Sequence, residues 1–167
     1  MPDNSLYLIY MQKVHITPAP TPKTPRIVPI ATLYAAILTL MAVSQLFYFE
    51  EFISLIGSFW LPVDRAGVYV IASSIVIAEV FALPFLLRMY LSPLMRLVSM
   101  TFGWIVPAIW LILCVWIQLQ THALSNIGFL GEVVDIPPGW WSIVFSASLG
   151  VLAAWASWGM WPRKLSD

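Results

Sequence analysis

The 167-residue chain is 60% hydrophobic and 10% charged, with eight basic and eight acidic side chains and a mean hydropathy of +0.87. So few polar side chains cannot cover the core of a soluble domain of this size. Zero net charge without an arginine-rich stretch gives nucleic acid no hold, and the single Cys114 excludes an internal disulfide or a multi-cysteine metal site.

The chain opens on a segment unlike the rest. Residues 17–29 read TPAPTPKTPRIVP. Proline lacks an amide donor and favours extended conformations, so residues 1–29 are expected to form a stiff tether outside the helices. A proline-rich ligand for a partner domain is the alternative reading.

Four segments then have the length and apolarity to cross roughly 30 Å of hydrocarbon as helices. They lie at about 29–49, 66–87, 97–117 and 140–161. The alternating polarity of barrel strands is absent, so helices are the way to satisfy the backbone in lipid. The expected fold is an all-α, polytopic four-helix membrane bundle over residues 30–162, followed by a short tail at 163–167.

The basic residues orient it. Lys13, Lys23, Arg26, Arg88, Arg96, Arg163 and Lys164 fall on one side of four crossings, and only Arg65 on the other. By the positive-inside rule, both termini are expected in the cytoplasm. Tyr48, Trp60, Trp140, Trp141, Trp158 and Trp161 lie near the span ends, as interfacial anchors do. An aromatic cage around Trp60, Trp140 and Trp141 is the sharper alternative.

Glu79 is the residue most suggestive of chemistry. It lies deep in the second span, and no Lys or Arg lies within any span to neutralise it. A carboxylate at that depth costs about 3 kcal/mol on insertion scales and marks a functional site by default. It is expected to be neutral and to donate a hydrogen bond. Pro107 cannot donate to the carbonyl of Gly103, four residues earlier, and Gly103 lies at a depth similar to Glu79. A Glu79–Gly103 bond is therefore a concrete expectation, set against a role for Glu79 in holding a ligand or a proton.

Gln45 and Ser44 near the outer end of the first span can bond across helices. Ser146 and Gly150 form a small-xxx-small pattern that permits close helix approach. On the outer side, His122 with two of the carboxylates Glu50, Glu51, Asp64, Glu132 and Asp135 could hold a divalent metal, but no recognised metal-ligand spacing appears, so no metal site is assigned. Ile136-Pro137-Pro138-Gly139 reads as a rigid turn that starts the last helix.

Leu38–Phe52, LTLMAVSQLFYFEEF, with Leu55–Pro62, LIGSFWLP, and the glutamate of Ala78-Glu79-Val80-Phe81 resembles the DoxX/MauE-like family of small four-helix membrane proteins. The likeness covers about residues 31–156. It departs in two places. Gln45 stands where the family commonly has a lysine, and Ser125–Gly131 lacks the cysteines of members linked to thiol chemistry. Disulfide exchange needs a thiolate, which apolar surroundings disfavour at Cys114.

Two functions follow. The leading one is a non-catalytic subunit that stabilises a larger membrane assembly, redox or transport, with lipids and other membrane subunits as partners. The second is a module that binds a quinone or lipid, or handles a proton, around Glu79, Gln45 and Gly103. An enzyme using Glu79 and the outer carboxylates ranks third. The resemblance, together with the basic asymmetry, implies a prokaryotic cytoplasmic membrane.

Overall fold

A computed structural model describes residues 16–120, 124–131 and 133–161. Among these, five helices follow one another: α1 (Ile27–Phe47), α2 (Phe49–Gly57), α3 (Arg65–Leu86), α4 (Pro93–Leu119) and α5 (Trp140–Met160). All but α2 are long and apolar enough to cross a membrane, which makes the chain an all-helical integral membrane protein.

Local chemistry fixes the helix starts. Asp64 precedes α3 and accepts from the Gly67 amide at 2.8 Å, satisfying one of the donors a helix leaves free at its N-terminus. Ser92 does the same for α4 by accepting from Met95, with Pro93 in the first turn, where its missing N–H costs nothing. That cap starts α4 at Pro93, four residues before the expected span. The Pro137–Gly139 turn leads directly into α5, and the Trp141 indole donates back to the Pro137 carbonyl.

Short α2 was not expected as a separate element. Its apolar residues recur at helical spacing, Phe52, Ile53 and Ile56 being buried, while Glu50 and Glu51 in the first turn face outward at its positive end. It packs on α3 at the end of the bundle away from Lys23, Arg26, Arg88 and Arg96, termed the outer end as a label for position in the bundle alone.

The four long helices form a closed ring: α1 and α4 each pack on both α3 and α5. The start of α1 lies beside the end of α5, because the Lys23 amide donates to the Gly159 carbonyl. Thr17 pairs with Leu91 in the turn between α3 and α4. One end of the bundle therefore collects Lys23, Arg26, Arg88 and Arg96; α2 and the long outer loop lie at the other.

The described end of the proline-rich segment is docked, which differs from a tether standing off the bundle. Residues 16–26 are anchored by the Thr17–Leu91 pairing, by Arg96 donating to the Thr17 and Pro18 carbonyls, and by Lys23 lying 4.7 Å over the Trp158 ring. Proline cannot donate, but its carbonyls still accept, and a cationic side chain supplies the donors. Residues 1–15 and the basic C-terminal residues lie outside the described residues.

Pro84 interrupts α3, and Ser99 of α4 repairs the break. Its hydroxyl accepts from the Phe85 amide at 2.9 Å and donates to the Phe81 carbonyl at 2.6 Å, inserting into the helix ladder where proline has loosened it. Ser99→Ala is expected to destabilise the bundle by about 1 kcal/mol and to speed hydrogen exchange at the Phe85 amide. Unchanged exchange there would contradict the bridge.

Candidate functional site

The Glu79 side chain is fully buried inside the bundle, and side chains of two other helices converge on it. Its Oε1 accepts from the Gln45 amide of α1 at 3.3 Å and from the Trp110 indole of α4 at 3.1 Å. The same Gln45 nitrogen donates to the Phe129 carbonyl of the outer loop at 3.1 Å. Gln45 and Trp110 are themselves fully buried. This cluster ties the central carboxyl to two neighbouring helices and to the loop above them.

Side-chain direction explains how residues at different heights meet. Each Cα–Cβ bond leans toward its helix's N-terminus. Glu79, on a helix running from the outer end, leans outward; Gln45 and Trp110, on helices running the opposite way, lean inward. Gln45 near the outer end and Glu79 deeper in the bundle thus come within hydrogen-bonding reach.

The expected Glu79–Gly103 bond does not form. The Gly103 carbonyl accepts instead from the Tyr34 hydroxyl at 2.7 Å. The carbonyl freed by Pro107 is satisfied, but by a phenol on α1, while the outward lean of Glu79 carries its carboxyl to Trp110, two turns further along α4. Gly103 is buried facing α3, where a Cβ would make ordinary contact with Ala82 at 3.9 Å.

The outer loop is built around Asn126. Its Oδ1 accepts from the Gly128 and Ile136 amides, and its Nδ2 donates to the Gly131 carbonyl at 2.9 Å. This folding presents Ile127 and Phe129 inward, both buried. Phe129 packs against Trp110 and Phe145 with ring centroids 4.7 and 4.8 Å apart, and meets Trp141 edge-on. Gly131, at φ 58°, lies against the α1 backbone: a Cβ there would sit 3.2 Å from the Ser44 carbonyl and 3.3 Å from the Gln45 Cα.

Two polar atoms of the cluster have no partner among the described residues: Gln45 Oε1 and Glu79 Oε2. The amide's orientation is set by its bond to the Phe129 carbonyl, which needs a donor. As a carboxylate, Glu79 leaves two buried acceptors facing no donor. A proton on Oε2 would turn one of those two acceptors into a donor, while Oε1 goes on accepting from the amide nitrogen. Each orphaned atom left unmatched would cost about 1–3 kcal/mol.

Of the remaining residues singled out in the sequence, Cys114 and Ser146 are buried and lie 3.3 Å apart across α4 and α5. Ser44 is buried beside the Gly131 contact. Trp60 and Trp140 are exposed. His122 and Glu132 lie outside the described residues. An apolar crevice of about 260 Å³ opens next to the cluster, between α1, the outer loop and α5, with Met41, Phe129, Trp141 and Phe145 among its walls.

Comparison of this chain with protein-family models, with curated proteins and with solved structures finds no match.

Proposed function

We propose that the chain is a non-catalytic integral membrane subunit, a DoxX-like bundle that binds and stabilises a larger membrane assembly. Both termini face the cytoplasm in this reading, and the membrane is a prokaryotic cytoplasmic one. The observation that carries it is an unpartnered stripe on α1. Thr32, Ala36, Thr39 and Val43 recur at helical spacing on the exposed face and line a shallow groove of about 430 Å³. Small residues let a second helix approach closely in lipid. The Thr32 and Thr39 hydroxyls bond to their own helix at Val28 and Ala35, so the face offers packing without an unmet polar group. The occupant this suits is a transmembrane helix of another subunit.

The Glu79 cluster fits this reading as an internal brace. Its one carboxyl oxygen with partners is occupied by Gln45 and Trp110. The double substitution Ala36→Leu with Thr39→Leu fills the groove without touching the buried face of α1. It is expected to strip co-purifying subunits from the tagged protein while the isolated chain keeps its helical content. Undiminished recovery of those subunits would remove α1 as the docking face.

A second reading, a quinone- or lipid-binding module centred on Glu79, has one observation in its favour. The apolar crevice beside the cluster is walled by Phe129, whose carbonyl is held by Gln45. In that reading the crevice takes the apolar part of the molecule and the cluster tunes the wall.

A further inference from the structure

The basic end of the bundle carries a second feature, independent of Glu79 and of the α1 stripe. A crevice of about 220 Å³ opens between the end of α3, the start of α4 and the end of α5. Phe85, Leu97, Met100, Met160 and Trp161 give it apolar walls, and Arg96 supplies its one charged side chain. Arg96 is held in place rather than loose. Its Nη2 donates to the carbonyls of Thr17, Pro18 and Leu91 at 3.0–3.4 Å and lies 3.3 Å from the Thr17 hydroxyl.

Every one of those acceptors is neutral, so the fixed guanidinium keeps its charge uncompensated. Its Nη1 and Nε make no hydrogen bond among the described residues, which leaves donors of the planar fork that matches phosphate oxygens. The surroundings reinforce the sign. Lys23, Arg26 and Arg88 share this end, and no Asp or Glu among the described residues does. The Arg88 Nε is buried and likewise without a partner among those residues. A cation fixed at the rim of an apolar crevice between membrane-spanning helices has two complements in one molecule: an anionic headgroup and an acyl chain.

We propose that this crevice is a binding site for one anionic phospholipid, its phosphate on Arg96 and an acyl chain lying between Leu97, Met100 and Met160. Trp161 flanks the site at the boundary depth that its indole favours. The basic cluster contributes the longer-range attraction that such residues exert on anionic lipid.

The test is native mass spectrometry of the full chain released from lipid discs containing phosphatidylglycerol and phosphatidylcholine in equal amounts. One phosphatidylglycerol is expected to be retained in preference. Arg96→Ala should reduce that preference about five- to tenfold, from the loss of one charge-assisted contact. Arg65→Ala, a basic residue at the opposite end, should leave it unchanged. Because Arg96 also anchors the proline-rich segment, Leu97→Trp provides a second arm: it fills the crevice, keeps Arg96 and its contacts, and should abolish retention. Excess inorganic phosphate should not compete, since it lacks the chain. Equal retention of both lipids, displacement by phosphate, or retention that survives both Arg96→Ala and Leu97→Trp would overturn the assignment. So would finding no retained lipid in the unaltered chain.

Discussion

Glu79→Gln is expected to leave the bundle folded and almost as stable as the unaltered chain, whereas Glu79→Leu is expected to lose about 2 kcal/mol. The amide of Gln reproduces what a neutral acid offers: an oxygen that accepts from Gln45 and Trp110, and a donor in place of an acceptor on the other arm. Leucine fills the volume but offers neither. The Trp110 indole then loses its one acceptor among the described residues, and Gln45 keeps only its bond to Phe129. Hydrogen bonds across membrane helices average about 0.6 kcal/mol and reach about 1.7, which bounds the loss from two of them. Reversible unfolding in mixed micelles measures the difference. Infrared spectroscopy adds a direct check, since the carbonyl band of a protonated carboxylic acid should be present in the unaltered protein and absent in Glu79→Gln. If Gln proves as damaging as Leu, the proton or charge of Glu79 is needed for something other than bracing.

Gly131→Ala is expected to release the outer loop from the bundle, at a cost of about 2–3 kcal/mol. Two effects act together. A non-glycine residue at φ 58° carries about 1–2 kcal/mol of local strain, and the added Cβ would press on the Ser44 carbonyl and the Gln45 Cα. Both neighbours are helix backbone and cannot rotate aside, so the loop must move. Moving it pulls the Phe129 carbonyl from Gln45 and the Phe129 ring from Trp110. Hydrogen exchange across residues 124–131 is the readout: the Ile127 and Gly131 amides, bonded to Ile136 and Gly128, should exchange faster. Gly128→Ala provides a comparison, because there the Cβ would meet a movable Leu55 side-chain methyl at 2.9 Å. A loop equally protected in Gly131→Ala would mean that the close approach to α1 is not required.

The spans were legible because membrane helices declare themselves by length and apolarity. Glu79 stood out for the same reason, as a carboxyl in an apolar run. Its partners did not. Trp110 looks in the sequence like one more aromatic suited to lipid or its boundary, and Tyr34 gives no sign that its hydroxyl will seek the Gly103 carbonyl. Counting residues from the helix ends places Glu79 level with Gly103, but hydrogen bonds are made by side-chain tips, and opposite tilts on antiparallel helices shift those tips apart or together. The loop was hidden for a different reason. Asn126 and Gly131 act through a turn whose closure depends on the α1 backbone behind it, a contact with no local signature. Helix α2 was recoverable, since Phe52, Ile53 and Ile56 repeat at helical spacing behind two glutamates. The docking of residues 16–26 was not, because it depends on Arg96 supplying donors to carbonyls far away in the chain.

The central claim is that this chain serves as a partner-binding subunit whose buried acid is a brace. Native mass spectrometry of the tagged protein in native-lipid discs, run in parallel on Glu79→Gln, addresses it most directly. The account predicts a stoichiometric set of other membrane subunits that is retained in both proteins. A solitary chain that carries a quinone or a particular lipid, lost in Glu79→Gln, would contradict it and move the function to the cluster itself.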